Sequence, residues 1–413
     1  MKIQSLRGMP DLFPEDLERW HIFESKLSKV LHSYDTHEIR TPLLESTELF
    51  SRSVGNSSDI VNKELYSFLD RNEESISLRP EGSASVIRAI IQKKQEHEKH
   101  KLWYQGPMFR YERPQKGRFR QFHQVGVEYL GFKEGISEYE LISMVLQINK
   151  LIGITNYTIK INHLGDQLAK ESFCDALINF LQPHITELHE KDQARLKSNP
   201  LRILDSKEKS TQALLREGPK FQDFISDASK NFLHNLVNAF SDHCDIQIDQ
   251  SLVRGLDYYT GIVFETVSQE LGAQDAFLGG GRYDNLSNQL GGKDMHAIGF
   301  AIGIERIIEL LSIKNIKPLK VGFITTGEQT DKKTYKIADD LRSANSGIIL
   351  DTFLSEGSLK SQLRRANKNN CKYVIIIGEE ELENDQVIWK NLGEGGEQEL
   401  LTSKEVIEKY TNL

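Results

Sequence analysis

Apolar residues recur at helical spacing from Asp16 to Ser33, where Trp20, Phe23, Leu27, Val30 and Leu31 share one face, and an amphipathic helix is predicted there. The period changes to two in Gln121–Leu130. Gln124, Gly126 and Glu128 then share one face of a strand, and Val125, Val127 and Tyr129 share the apolar one. The aromatic-rich run Trp103–Tyr111 precedes it, so the two read as paired strands joined by a basic loop. Glu64–Leu69 and Ser75–Arg79 read as short strands across the turn Asp70-Arg71-Asn72. Ile39–Phe50 is predicted as one strand, placed at an edge or an interface because Pro42 lacks a ladder donor. Ser83 is suited to cap a helix over Ala84–Gln95. Helix Ser137–Leu151 and strand Tyr157–Asn162 follow.

From Leu164 to about Phe240 the chain turns polar and helical, which predicts an inserted helical subdomain. Ala297–Leu311 reads as a short strand and a helix carrying Arg306 early. Beyond a linker at Asn315–Lys320, strands Val321–Thr325, Ile348–Thr352 and Tyr373–Gly378 alternate with helices Lys332–Ala344 and Ser358–Asn369. Val387–Asn391 and a helix near Ser403–Tyr410 close this stretch, which predicts a separate small domain with a parallel or mixed sheet.

Composition narrows the picture. The length of 413 residues suits two to three domains. The net charge of −8 argues against a sequence-blind RNA coat, so any RNA contact must come from local patches. One such patch is Lys360, Arg364, Arg365 and Lys368 on one face of a helix, which equally fits a solvated surface. Cys174, Cys244 and Cys371 are scattered, as expected of reduced thiols, and no zinc spacing or H-E-x-x-H occurs, so no metal set of protein ligands is expected. No secretory leader or membrane-length apolar run is evident, and a cytoplasmic location is expected.

The candidate chemistry lies around the two paired strands. Arg110, Arg113, Lys116, Arg118 and Arg120 are opposed only by Glu112, which suggests phosphates. Gln124 and Glu128 flank a glycine gap, which suggests the floor of a pocket for a small cation-bearing ligand. Glu81 sits in a tight Pro-Glu-Gly corner. In LVRGLDYYTGIVFE, Tyr258 and Tyr259 line a pocket together only if they lie in a turn; core packing is the alternative. Arg254 fits either a site or a surface salt bridge. Gly279, Gly280 and Gly281 form neither G-x-G-x-x-G nor a Walker A, which sets aside Rossmann and P-loop sites. Three glycines in a row fit a strand passing under a flat ligand such as adenine.

RYERPQKGRFRQFHQVGVEYLG resembles motif 2 of class II aminoacyl-tRNA synthetases, in the histidyl form. Pro42 stands where motif 1 has a proline, AIGFAIGIERIIELL resembles motif 3, and LVRGLDYYTGIVFE resembles a segment peculiar to histidyl enzymes. The resemblance implies an α/β (α+β) fold: an antiparallel catalytic sheet flanked by helices, a helical insertion and a C-terminal α/β anticodon-binding domain. The implied divisions are a catalytic core over 1–163, the insertion over 164–240, the rest of the core over 241–317 and the anticodon domain over 318–413.

It further implies activation of L-histidine by ATP, with Mg2+ accompanying the nucleotide, and transfer of histidine to the 3′-terminal adenosine of tRNA(His) by a homodimer joined through motif 1. By the same resemblance, Glu81, Gly82, Ser83 and Gln124 surround the α-ammonium, with Ser83 where the family has threonine. Glu128 and Tyr259 would take the imidazole, and Tyr258 and Tyr283 would wall it. Arg110 and Arg254 would meet the α-phosphate and carboxylate, Arg306 the terminal phosphate, and Arg118 either ATP or the acceptor end. Lys116 and Arg118, with Lys360, Arg364, Arg365 and Lys368, would contact tRNA. The rival reading is a histidine-binding regulatory subunit of ATP phosphoribosyltransferase, which resembles the core but lacks the C-terminal domain.

Overall fold

The computed structural model describes residues 3–55, 58, 60–114, 117–272, 276–311, 319–326, 332–352, 357–393 and 396–413. Lys116 and most of the expected linker at Asn315–Lys320 lie outside these. The chain divides into two compact units, Met1–Ile313 and Lys314–Leu413.

The first unit is built on an eight-stranded sheet. Its strands run in the order His37–Glu38, His100–Phe109, Gln121–Leu130, Ala297–Gly303, Ala276–Arg282, Thr260–Val267, Thr158–His163, Asp245–Ile248. The two outermost pairings are parallel and the five between them antiparallel. The alternation in Gln121–Leu130 decides which face is which. Val125, Val127 and Tyr129 enter a core with Trp20, Phe23 and Leu27 of helix Pro14–Ser33, Leu141 and Val145 of helix Ile136–Ile152, and Ile307 of helix Ile304–Leu310. Gln124, Gly126 and Glu128 face the other way.

The stretch after residue 164 is helical, as expected, but divides its loyalties. Helix Asp227–Phe240 sends Leu233 and Leu236 into the main core. Helix Gln167–Leu181 packs Phe173 and Leu177 with Tyr104, Tyr258, Tyr259 and Val263 on the opposite face of the sheet. Phe173 and Phe221 stack there with ring centroids 3.8 Å apart.

One predicted element differs. Ile39–Phe50 is not a continuous strand: Leu44–Ser46 is a strand, and Thr47–Val54 is a helix. Ser46 ends the strand because its Oγ accepts the Glu48 N–H at 3.3 Å, an N-cap that starts the helix. Leu49, Phe50 and Val54 are then buried from one helical side. The strand Leu44–Ser46 pairs with Ser75–Leu78, which pairs with Ser67–Leu69, giving a separate three-stranded sheet.

The second unit carries a five-stranded sheet in the order Ile349–Thr352, Lys320–Thr325, Tyr373–Ile377, Gln386–Asn391, Gln398–Thr402. The first two pairings are parallel and the last two antiparallel. Phe323, Ile375, Trp389 and Tyr410 form its core. Among the described residues, no helix is long and apolar enough to cross a membrane.

Phe264 lies in the central strand Thr260–Val267, is fully buried and meets Phe300 edge to face. Phe264→Ala is expected to lower stability by about 3–5 kcal/mol through the cavity it leaves. Denaturant unfolding followed by intrinsic fluorescence checks this; an unchanged midpoint would contradict the core assignment.

Candidate active site

Missing side chains on two strands and at a helix N-cap create the space for the polar ones. Tyr104 stands directly across from Gly126 in the strand register, and its ring fills the gap between Gly126 and Gly82. A Cβ on either glycine would come within 2.2 Å of that ring. Gly299 is the cross-strand partner of Glu128. A Cβ there would fall 1.9 Å from Glu128 Oε2 and 2.3 Å from the Val127 carbonyl oxygen. The apolar face of Gln121–Leu130 therefore anchors the strand while its other face holds a buried acid.

Glu128 is 1% exposed. Ser83 Oγ donates to its Oε1 at 2.5 Å, and the Tyr283 hydroxyl donates to its Oε2. Burial nevertheless dominates and pushes its carboxyl up to about 8; the two hydrogen bonds oppose the shift and the nearby Glu81 adds to it. Glu81 is also raised by burial, against the pull of two backbone N–H donors and Arg110. Those donors are Ser83 and Ala84, at 2.6 and 2.9 Å. Here the expected cap is corrected: Ser83 is the first residue of helix Ser83–Lys93 and its hydroxyl is spent on Glu128. Glu81 satisfies the free N–H groups of the helix instead, as a carboxylate does well at this end.

Four guanidinium groups converge on the same cavity of about 260 Å³. Arg110 donates from Nε to the Pro80 carbonyl at 2.9 Å and lies 5.2 Å over the Phe122 ring. Arg118 Nη1 is 2.8 Å from Glu112 Oε2. Arg254 donates from Nη1 to Glu265 Oε2 at 2.9 Å, while its buried Nε has no hydrogen-bond partner among the described residues. Arg306 donates to the carbonyls of Gly117 and Ala276. Burial holds Arg306 below the usual arginine range, and Arg118, Arg110 and Arg254 press it further down against the pull of Glu112. Such crowding of like charge is relieved by an anion in the cavity.

Glu81, Ser83, Arg110, Arg118, Gln124, Arg254, Tyr258, Tyr259 and Arg306 all line this cavity. Gln124, on the cavity wall, has a buried Oε1 acceptor with no donor among the described residues. Tyr258 and Tyr259 lie in a turn, not a strand, with rings 4.7 Å apart, so both reach the cavity. Burial pushes the Tyr259 hydroxyl up to about 12, which keeps it protonated and able to donate.

Several expectations change. Glu128 and Tyr283 are not on the wall: Glu128 sits behind Ser83, which lines the cavity, and Tyr283 holds Glu128 from behind, with its ring 5.5 Å from that of Tyr258. Gly82 likewise serves as space for Tyr104. Of the three consecutive glycines, Gly279 lines the cavity, and a Cβ on it would meet Arg254 Nη2 at 2.1 Å. Gly280 and Gly281 abut backbone of the neighbouring strands, at Gly299 and Ile262. Tyr104, Glu112, Phe119 and Phe122 line the cavity and went unassigned. The signal for Tyr104 was its strand's pairing with Gly126, once the register is known. Lys360, Arg364, Arg365 and Lys368 are exposed on helix Leu359–Lys368 of the second unit. No cluster of three or more His, Cys, Asp or Glu suited to a metal occurs among the described residues.

Residues 8–307 match the family model of histidyl-tRNA synthetases, and residues 320–413 match that of the anticodon binding domain. The histidine–tRNA ligase of Listeria innocua is 41% identical over 423 aligned residues, covering all of this chain and 99% of that protein. The apo structure of the S. aureus histidyl-tRNA synthetase superposes with a TM-score of 0.81 at 32% identity, over 99% of this chain and 100% of that one. An ATP phosphoribosyltransferase regulatory subunit/histidyl-tRNA synthetase from Bacillus halodurans C shares the fold, with a TM-score of 0.66 at 21% identity over 92% of this chain and 99% of that one. With a family match across the catalytic unit, a second match across the C-terminal unit and a full-length relative at this identity, the chain belongs to the histidyl-tRNA synthetase family of class II aminoacyl-tRNA synthetases.

Proposed function

We propose that this chain is a histidine–tRNA ligase: it joins L-histidine to ATP as histidyl-adenylate, releasing pyrophosphate, and passes histidine to the 3′-terminal adenosine of tRNA(His). The observation that carries this reading is one cavity lined by the buried Glu81 carboxyl and four guanidinium groups, with the buried Glu128 carboxyl bound to its lining residue Ser83. An amino acid bearing a second basic group fits the carboxyl groups; a triphosphate fits the guanidinium groups. The full-length likeness, C-terminal unit included, favours a ligase over a regulatory subunit.

Glu81 and Gln124 hold the α-ammonium, with Ser83 beside them. The imidazole lies between Glu128 and Tyr259, each Glu128 oxygen keeping a second lone pair beyond the one already engaged. Arg110 and Arg254 clamp the histidine carboxylate and the α-phosphate from two sides. As the carboxylate oxygen bonds to phosphorus and the bond to pyrophosphate breaks, negative charge spreads over the phosphoryl oxygens, and fixed guanidinium groups stabilise it without reorganising. Arg306 and Arg118 take the outer phosphates. Glu112 and Glu305 are the remaining carboxylates on the cavity wall and suit an Mg2+ arriving with the nucleotide, which binds through one or two carboxylates plus phosphates and would neutralise phosphate charge.

The exposed basic face of helix Leu359–Lys368, together with Arg118 and Lys116, receives tRNA. A homodimer is supported by the exposed apolar residues Leu43, Leu44, Phe68 and Leu69 on and beside the three-stranded sheet next to Pro42.

Glu128→Ala is expected to lower kcat/KM for histidine by about 10²–10⁴-fold, because a buried partner is lost, while ATP binding persists. Histidine-dependent ATP–pyrophosphate exchange measures it; normal exchange would contradict the assignment.

The pH profile follows from the shared proton. Between the imidazole value of about 6.5 and the Glu128 value of about 8, free enzyme plus free histidine carry one proton between them, as their ion pair does. Below that window a proton must leave on binding; above it one must be taken up. A bell-shaped kcat/KM for histidine is expected, with limbs near these values, and Glu128→Gln is expected to lose the alkaline limb. A flat profile through both would count against the pairing.

Arg364→Glu with Arg365→Glu is expected to raise the KM for tRNA about tenfold or more while leaving ATP–pyrophosphate exchange unchanged. Aminoacylation at several salt concentrations checks this, and an unaltered tRNA KM would remove this face from the interface.

A further inference from the structure

The segment 254–259 carries Arg254, Tyr258 and Tyr259 but has no regular secondary structure to hold it. Its support comes from residues far away in the chain, in the helical stretch after residue 164. Lys170, on helix Gln167–Leu181, donates from Nζ to the carbonyl oxygens of Asp257 at 2.7 Å and Tyr259 at 3.2 Å. It thereby fixes the peptide group before Tyr258 and the one after Tyr259, bracketing the two tyrosines. Asn199 donates from Nδ2 to Asp257 Oδ1 at 2.8 Å. Arg202 donates to the Gly255 carbonyl and lies 4.0 Å from Asp257. On its other side Asp257 is packed so tightly on Gly55 that a Cβ there would fall 2.6 Å from Oδ2. The turn is therefore held between the insertion and the end of helix Thr47–Val54.

These contacts are costly to lose. Lys170 is largely desolvated, which depresses its ammonium value, and it spends its donors on two carbonyls of residues that lie outside any strand. A backbone carbonyl bound by an ammonium is a strong, charge-assisted contact, and the two carbonyls here set the orientation of both tyrosine-bearing residues. The positions also divide the labour. Lys170 grips the peptides next to Tyr258 and Tyr259, whereas Arg202 grips the carbonyl one residue after Arg254.

We propose that Lys170, Asn199 and Arg202 are positioning residues through which the helical insertion builds the histidine half of the site. The inference rests on the histidine ligase reading above. Lys170 and Asn199 set the imidazole contacts, and Arg202 sets the placement of Arg254 on the transferring phosphate. The insertion is thus part of the amino-acid pocket, beyond any contact it makes with tRNA.

The test is ATP–pyrophosphate exchange with the full chain, separating KM for histidine, KM for ATP and kcat. Lys170→Met keeps the length and the apolar stem, so the fold is retained and only the donor is lost. It is expected to raise the histidine KM about tenfold, with the ATP KM within about twofold of the parent. Arg202→Gln is expected to lower kcat about tenfold and to change the histidine KM less. Asn199→Ala is expected to move in the direction of Lys170→Met by a smaller factor. Circular dichroism melting of each variant within a few degrees of the parent shows that the fold is intact, and in a variant that melts lower the KM-against-kcat split still decides. If Lys170→Met leaves the histidine KM unchanged, or raises both KM values alike, the inference is overturned while the ligase reading stands. If the parent chain shows no histidine-dependent exchange, the ligase reading falls, and the inference with it.

Discussion

The site depends on a carboxyl group buried where water cannot reach it. Glu128 lies on the polar face of a strand whose other face is locked into the main core, so its position is set by Val125, Val127 and Tyr129. It fits only because its neighbour across the sheet, Gly299, has no side chain. Ser83 and Tyr283 each donate to it, yet burial outweighs both and favours the protonated form. Such a group is poised for a ligand that brings its own basic nitrogen. An imidazole supplies a donor and completes the charge balance at once, which an aliphatic or carboxylic side chain does not.

The rest of the cavity applies the opposite rule. Arg110, Arg118, Arg254 and Arg306 are held by carbonyls and by Glu112 and Glu265, and burial, with the like charge of the other three, lowers Arg306. An anion between them offsets that like charge. The cavity thus brings together the buried Glu81 carboxyl and four guanidinium groups, with Glu128 behind its lining residue Ser83. Under the proposed reading, histidine meets the carboxyl groups and the nucleotide meets the guanidinium groups.

Much of this was legible in the chain because period and punctuation are local. Alternation in Gln121–Leu130 separated the pocket face from the core face, and the β-α-β-α-β order of the C-terminal unit followed from its apolar runs. Arg110, Arg118 and Gln124 of the motif 2 stretch, Arg306 of motif 3, and Arg254, Tyr258 and Tyr259 of RGLDYY all line the cavity. What escaped depended on contacts between distant segments. The second half of Ile39–Phe50 is helix, from Thr47 on, because Ser46 caps, a competition that propensity alone did not resolve. Tyr104 belongs to the site only through its register with Gly126. The glycine run suggested a ligand, but the space above Gly279 is taken by Arg254, a side chain that arrives from another segment. The grip of Lys170 on residues 257 and 259 joins positions whose neighbours in sequence give no hint of it.

The most direct measurement is a crystal structure of the chain with L-histidine bound at pH 7. The account predicts one imidazole nitrogen within about 3 Å of the Glu128 carboxyl and the other at a similar distance from the Tyr259 hydroxyl. The α-ammonium should lie against Glu81 and Gln124. An imidazole lodged among Arg110, Arg254 and Arg306, with Glu128 bound only by Ser83 and Tyr283, would contradict it.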